Sequence, residues 1–201
     1  GGFISEGVYV TTDGGTTWFG SDTLNSTPIT GHSGDPGPVI DKDGRFYMTH
    51  LGGSTGMAAN YSTDNGITWS TSFSIPGGSS SDKNLSGADD VPSSPYYGRV
   101  YNVWTNFGGT FTNRIVISYT TNGGVSWTAA NAGLPPGLAS FPSCFAVTTT
   151  NGANANIFAG MIWDKGVFRS TDNGEAWSEA NTGLTDGRVE TLAVSPGDDD
   201  S

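Results

Sequence analysis

The chain has 201 residues, of which 31 are glycine and only 13% are charged, and this length is sufficient for one domain with a sizeable core. The formal net charge of −11 argues against nucleic acid and anionic membrane surfaces, because proteins bind both mainly through lysine and arginine. No stretch is long or apolar enough for membrane insertion, and the single Cys144 has no partner for an internal disulfide.

From its first residues the chain alternates short apolar runs with glycine, serine, threonine and asparagine, and no stretch shows sustained helical spacing of apolar residues. This pattern predicts an all-β fold with many tight turns. The first predicted element, residues 3–20, holds two or three strands and ends in the sequence Thr-Thr-Asp-Gly-Gly-Thr-Thr-Trp.

An eight-residue pattern, Ser/Thr-x-Asp-x-Gly-x-x-Trp, begins with that sequence and occurs four times. Each copy follows an alternating run, so it predicts a turn between two antiparallel strands. The polar side chain should accept hydrogen bonds from turn N–H groups, and the tryptophan should pack between neighbouring sheets. The four copies, at residues 11–18, 62–69, 120–127 and 170–177, place Asp13, Asp64, Asn122 and Asp172 in the turn and Trp18, Trp69, Trp127 and Trp177 after it.

This repeat resembles the Asp-box, or bacterial neuraminidase repeat, of sialidase-type β-propellers. Tryptophan spacings of 51, 58 and 50 residues fit one four-stranded blade per repeat. The resemblance implies a single propeller domain over residues 1–201 with about four antiparallel blades. In that family the box joins the third and fourth strands, away from the active face, so the box residues are expected to be structural. It also implies a secreted or cell-surface protein, as in related bacterial repeat proteins.

Three complete blades can be assigned in chain order. The first has strands at residues 38–41, 45–50, 57–63 and 69–75. The second has strands at residues 85–89, 99–104, 114–120 and 126–129, with an insertion at residues 91–97. The third has strands at residues 143–147, 156–160, 166–170 and 177–179, and residues 189–196 then predict a lone first strand.

The tail strand and the residues around Phe3 complement each other as parts of one more blade. They could close a four-bladed ring within one chain, or the sequence could be an excerpt of a larger propeller. Unpaired ends would also permit head-to-tail self-association, in which the tail of one molecule completes the head of the next.

A ligand site is expected on the rim opposite the Asp-box turns. Aromatic rings and carboxylates there would suit a sugar, which stacks its C–H face on rings and bonds its hydroxyl groups to acids. Glycans or cell-surface and matrix components are therefore the expected partners. The candidate ligand-binding residues are Trp104, Trp163, His50, Phe107, Phe111, Arg114, Lys83 and Asp164, with core packing as the alternative for Trp104 and His50.

Asp35 and Asp82 form the one carboxylate pair that could serve a glycoside hydrolase. The resemblance to sialidases implies three arginines that grip the substrate, yet the family's Arg-Ile-Pro motif is absent and only Arg114 lies on the expected rim. We therefore do not expect cleavage of sialic acid. The leading hypothesis is a glycan-binding or structural interaction module, and a sialidase-like glycoside hydrolase is the alternative.

No cofactor is expected. Calcium could bind through the oxygen atoms of Asp89 and Asp90, or through the turn at residues 41–44, although neither stretch supplies a complete ligand set.

Overall fold

The computed structural model describes residues 7–22, 32–53, 56–108, 114–135, 141–150 and 154–194. These ranges contain fourteen β-strands and no α-helix, which confirms the predicted all-β class. Accordingly, no helix within them could span a membrane.

The strands form three four-stranded antiparallel sheets and one two-stranded hairpin, which we call blades 1 to 4 in chain order. Within each blade every strand pairs with its neighbour in sequence, as in a propeller blade. Blade 1 contains β1 (Val8–Val10) and β2 (Phe19–Ser21); blade 2 contains β3 (Gly37–Ile40), β4 (Phe46–Leu51), β5 (Met57–Ser62) and β6 (Phe73–Ile75); blade 3 contains β7 (Ser81–Ala88), β8 (Val100–Asn106), β9 (Arg114–Thr120) and β10 (Thr128–Ala129); blade 4 contains β11 (Pro142–Thr150), β12 (Asn154–Met161), β13 (Val167–Ser170) and β14 (Ser178–Glu179).

The observed strands differ most from the predicted ones at two places within the blades. The last strand of blade 2 begins at Phe73 and not at Trp69, because the box turn holds that tryptophan outside the sheet. The first strand of blade 3 begins at Ser81 and not at Leu85. It takes up Asp82 and Lys83 through a β-bulge, at which the register with β8 shifts.

The tail is the third difference. Residues 189–194 form no strand. Instead, the Val189 N–H donates to the Met161 carbonyl at 2.9 Å, and the Ser143 hydroxyl donates to the Val189 carbonyl. The predicted pairing of the tail with the region of Phe3 lies outside the described residues.

Each Asp-box folds through the same local hydrogen bonds, as the second box illustrates. The Ser62 hydroxyl accepts the Gly66 N–H at 2.9 Å and donates to Asp64 Oδ1 at 2.8 Å. Asp64 Oδ1 also accepts the Thr68 N–H at 2.8 Å. Asn65 and Gly66 both have positive φ angles of 60° and 81°, which the tight turn requires. The other boxes repeat this bond to Asp13, Asn122 and Asp172.

The box tryptophans connect each blade to the preceding one. Trp69 packs with Val8 of blade 1, Trp127 lies in the core between blades 2 and 3, and Trp177 lies in the core between blades 3 and 4. Trp18 differs from them because 61% of its side chain is exposed. The blades therefore stack in chain order, and the first box packs least among the described residues.

Two arginines reinforce this stacking. Arg45, at the start of β4, donates through Nη1 to the Gly123 carbonyl in the box of blade 3 at 2.9 Å. Arg99, before β8, makes the same contact with the Asn173 carbonyl in the box of blade 4 at 2.8 Å. Each arginine thus holds the box of the following blade, on the rim that carries the Asp-boxes.

Candidate functional site

The rim opposite the Asp-boxes carries the candidate site. Strand register brings the start of each first strand beside the end of the second strand, as in Ser81 opposite Asn106 and Pro142 opposite Met161. We call this surface the open rim; it contains the starts of β3, β7 and β11 and the ends of β4, β8 and β12.

The two predicted acids meet on the open rim. Asp35 precedes β3 and Asp82 lies in the β7 bulge, and their carboxyl groups are close enough to hydrogen-bond. Asp35 Oδ2 also accepts the Lys83 N–H at 2.8 Å. Asp35 and Lys83 adopt positive φ angles of 54° and 53°, which are uncommon for residues other than glycine.

Burial is the main cause that raises the pKa of Asp82 above its ordinary value. The hydrogen bond and the negative charge of Asp35 raise it further, whereas the positive charge of Lys83 opposes them. A carboxyl group in this setting binds its proton more firmly than a solvated aspartate. The pair therefore presents polar groups to the rim.

Three aromatic rings form the second feature of the open rim. Phe141, before β11, stands edge-on to Trp163, with ring centroids 4.6 Å apart and an interplanar angle of 74°. Phe107, after β8, contacts the other side of Phe141 at 5.8 Å and 66°. Trp163 is 53% exposed and Phe107 is 37% exposed. The contacts hold an accessible indole ring in a defined orientation.

The remaining predicted ligand residues lie around these features. Arg114 begins β9 and pairs with Asn106, directly before Phe107. Asp164 follows Trp163 with a positive φ of 47°, and its backbone packs against Gly187. Lys83 is exposed beside the acidic pair.

The comparisons with known proteins bear on this fold. A family model described as BNR/Asp-box repeat matches residues 61–71, which contain the whole second box. The intramolecular trans-sialidase from Ruminococcus gnavus shares the fold with a TM-score of 0.56 at 13% identity, over 85% of this chain and 62% of that chain. The chain thus has a propeller fold that carries an Asp-box repeat.

Two further solved structures share the propeller fold. A Hadza microbial sialidase has a TM-score of 0.54 at 15% identity, over 87% of this chain and 39% of that chain. An exo-β-1,3-galactanase from Phanerochaete chrysosporium has a TM-score of 0.52 at 15% identity, over 86% of this chain and 42% of that chain. The propeller thus spans between 39% and 62% of the length of these three structures. No curated protein sequence matches it.

Two predicted residues do not reach the mouth of the open rim. Trp104 is fully buried between blades 2 and 3, where the connection at Gly77 runs directly over its ring. His50 is also fully buried, with Nδ1 near the Leu51 carbonyl and Nε2 near Asn60 Oδ1, both at 3.0 Å. Burial is the main cause that lowers the pKa of His50. Both residues belong to central strands that are covered on both faces, so their sequence position could not reveal their exposure. Phe111, another predicted ligand residue, lies outside the described residues.

Phe141 is the site residue that the sequence reasoning missed. It precedes the first strand of its blade, close to the place that Asp35 occupies in blade 2. A comparison of the residues before each first strand would have drawn attention to it.

The acids considered for calcium accept hydrogen bonds within their own turns. Asp41 Oδ1 accepts the N–H groups of Asp43 and Arg45 at 3.0 and 2.9 Å, and Oδ2 accepts the Tyr47 hydroxyl. Asp89 accepts the Ser94 hydroxyl at 2.6 Å. Within the described ranges, no group of three or more acidic, histidine or cysteine side chains is arranged to hold a metal ion.

Proposed function

We propose that the propeller is a glycan-binding module that works at a cell surface or in the extracellular space. The observation that carries this proposal is the exposed Trp163, held edge-on by Phe141 on the open rim. Phe107, Phe141 and Trp163 are called the aromatic platform below.

The aromatic platform has the properties that sugar stacking needs. The C–H face of a pyranose ring is apolar and packs well against an indole. Because Phe141 and Phe107 hold Trp163 in one orientation, little conformational entropy is lost when a ligand stacks on it. An exposed ring that is already oriented therefore favours binding.

Polar groups beside the aromatic platform suit the hydroxyl groups of a sugar. Asp164 directly follows the exposed ring, and Arg114 lies next to Phe107 across the sheet register. The acidic pair lies on the same rim, since Asp82 pairs with Thr105 two residues before Phe107. Glycan action is also named for the trans-sialidase and galactanase structures that share this fold, which supports a glycan as the ligand class.

The geometry favours binding over hydrolysis. Retaining glycosidases hold their two carboxyl groups about 5–5.5 Å apart, and inverting enzymes hold them about 6.5–9.5 Å apart. Asp35 and Asp82 are in hydrogen-bonding contact, which is closer than either class of enzyme holds its carboxyl groups. Their contact suits a polar wall of a binding site better than a catalytic pair.

Glycan titration tests the proposal. We expect tryptophan fluorescence and calorimetry to detect binding of galactosides, arabinosides or sialosides from a panel. Trp163→Ala should weaken the affinity about tenfold or more, because the stacking ring is lost. Tyr97→Ala is the matched control, since Tyr97 is an exposed aromatic residue outside the open rim. Binding that survives Trp163→Ala, or that the control abolishes equally, contradicts the proposal.

A second assay separates binding from catalysis. The intact chain should release no product from fluorogenic glycosides of the sugars that it binds. If product forms and Asp82→Asn abolishes it, the chain is a hydrolase, and the reading of the acidic pair as a polar wall is refuted.

A further inference from the structure

The segment that follows the Asp-box in blades 3 and 4 has the same sequence form, Ala-Asn-x-Gly-Leu. It occupies residues 130–134 after the third box and residues 180–184 after the fourth. We call these the first and second receiving segments, because the first one receives a tryptophan of the next blade.

Both receiving segments are fixed to their own blade by identical bonds. Asn131 Oδ1 accepts the Ile117 N–H at 2.7 Å, and Asn181 Oδ1 accepts the Val167 N–H at 2.7 Å. The alanine that opens each segment donates its N–H to the carbonyl of the same strand residue, at 2.8 Å in both blades. The two segments therefore have the same backbone arrangement.

The first receiving segment is filled. Trp177 donates through Nε1 to the Ala130 carbonyl at 2.9 Å, and its backbone N–H donates to the Ala132 carbonyl at 2.8 Å. Gly133 lies so close to the Trp177 backbone that no side chain would fit there. Leu134 packs against the same core.

The second receiving segment is open among the described residues. Leu184, the counterpart of the leucine that packs in the core, is 48% exposed. Gly183 has no atom within 4 Å of the position where a side chain would begin. Blade 4 thus presents a preformed acceptor for one more tryptophan, with its carbonyl groups and its leucine already in place.

Blade 4 also carries a positively charged residue, Arg169, directly before its Asp-box. In blade 3, Tyr101 of β8 pairs with Tyr119 of β9. Arg99 stacks on Tyr119 and holds the box of blade 4. In blade 4 the equivalent pair is Phe158 with Arg169, and this arginine lies over the phenylalanine ring. Arg169 also donates to Asn156 Oδ1 at 2.8 Å. The residue of blade 4 equivalent to Arg99 is therefore Asn156, and Arg169 places a guanidinium group directly beside it.

The first Asp-box is the complementary surface. In the second box, Gly66 lies against Val10 of the preceding blade. At the equivalent Gly15, an added side chain would meet only Trp18 of the same box within 4 Å among the described residues. Together with the exposure of Trp18, this shows a box whose outer face meets no preceding blade in the described structure.

We infer that the first Asp-box of a second copy of this chain docks on blade 4. Trp18 of the second copy enters residues 180–184, and the Gly14 carbonyl accepts a hydrogen bond from Arg169. Both halves of the contact are exposed in one molecule, and each matches a contact that already joins two blades. The two surfaces differ, so the association is head-to-tail and yields rings or open chains, not a twofold dimer.

Sedimentation velocity on the 201-residue chain tests this inference without any glycan. Roughly 1–100 μM protein in about 0.5 M salt should show a mass that grows with concentration, because salt screens the repulsion between acidic copies. Trp18→Ala removes the head and Leu184→Asp removes the tail. Each variant alone should associate about thirtyfold more weakly than the unaltered chain.

Mixing the two variants gives the decisive result. An equimolar mixture should form dimers and nothing larger, because each variant retains one intact end that matches the other. Val125→Asp is the matched control, since this residue is 80% exposed in the third box and should leave association unchanged. A chain that stays monomeric at every concentration overturns the inference, as does a mixture without dimers or a control that also dissociates. Circular dichroism verifies that all variants fold.

Discussion

The first and fourth Asp-boxes have the same turn in different surroundings. In both, a threonine or serine hydroxyl accepts the glycine N–H at 2.8 Å, and an aspartate accepts the N–H four residues later at 2.9 Å. Yet Trp18 is 61% exposed, whereas only 4% of Trp177 is exposed. The local bonds therefore suffice to shape the turn, whereas burial of the tryptophan requires contact with a preceding blade.

The largest expected difference between the two boxes concerns their tryptophans. Trp177→Ala should lower the free energy of unfolding by about 3–5 kcal/mol, because it leaves a cavity between blades 3 and 4. Trp18→Ala should change it by less than about 0.5 kcal/mol at a concentration that keeps the chain monomeric. Urea denaturation of both variants measures this difference, and equal losses would show that Trp18 is buried in solution.

A smaller difference is expected for the hydroxyl groups that open the two boxes. Ser170→Ala should cost about 1–3 kcal/mol, because it leaves the buried N–H of Gly174 without its acceptor. The equivalent Thr11→Ala should cost about 0.5 kcal/mol or less, since water can replace the lost bond on an exposed turn. Denaturant midpoints decide the comparison. A Thr11→Ala variant as unstable as Ser170→Ala would mean that the first box is covered.

The smallest expected effect concerns the box aspartates, whose pKa should be equally low in the exposed first box and the packed second box. Hydrogen bonds from Thr17, mainly from its hydroxyl, lower the pKa of Asp13 to about 2, and those from Thr68 do the same for Asp64. Because the folded pKa is lowered, the contribution to stability is present above the ordinary value of 3.8 and is lost as the pH falls through about 2. Carbon-13 titration of the carboxyl groups measures both values. An Asp13 that titrates near 3.8 while Asp64 titrates near 2 would show that packing, and not the local bonds, sets the pKa.

The sequence alone was sufficient where the structure depends on near neighbours. Asp64 bonds to the N–H four residues later, so the pattern of the box contains both partners of the turn. Strand alternation located the blades, and the strand order within a blade assigned the two rims. This order assigned Asp35 and Asp82 to the same rim, and in the structure Asp35 accepts the N–H of Lys83, the neighbour of Asp82.

The sequence did not predict the exposure of a side chain where that exposure depends on the next blade. Trp104 and Trp163 both lie at or near the end of a second strand, yet one is fully buried and the other is 53% exposed. Sheets that are covered on both faces lack the alternation that marks an exposed side. The β-bulge at Lys83 and the contact of Phe141 with Trp163 arise from turns and neighbouring blades, which no local pattern encodes.

The direction of contact between blades has a consequence for biosynthesis. Trp177 of blade 4 docks on residues 130–134 of blade 3, and Arg99 of blade 3 holds the box of blade 4. Each blade is also made of sequential hairpins, whose short-range contacts form quickly. A ribosome delivers the chain from its N-terminus. Every blade that emerges therefore meets a completed docking surface on the blade made before it, and folding can keep pace with synthesis without waiting for distant sequence.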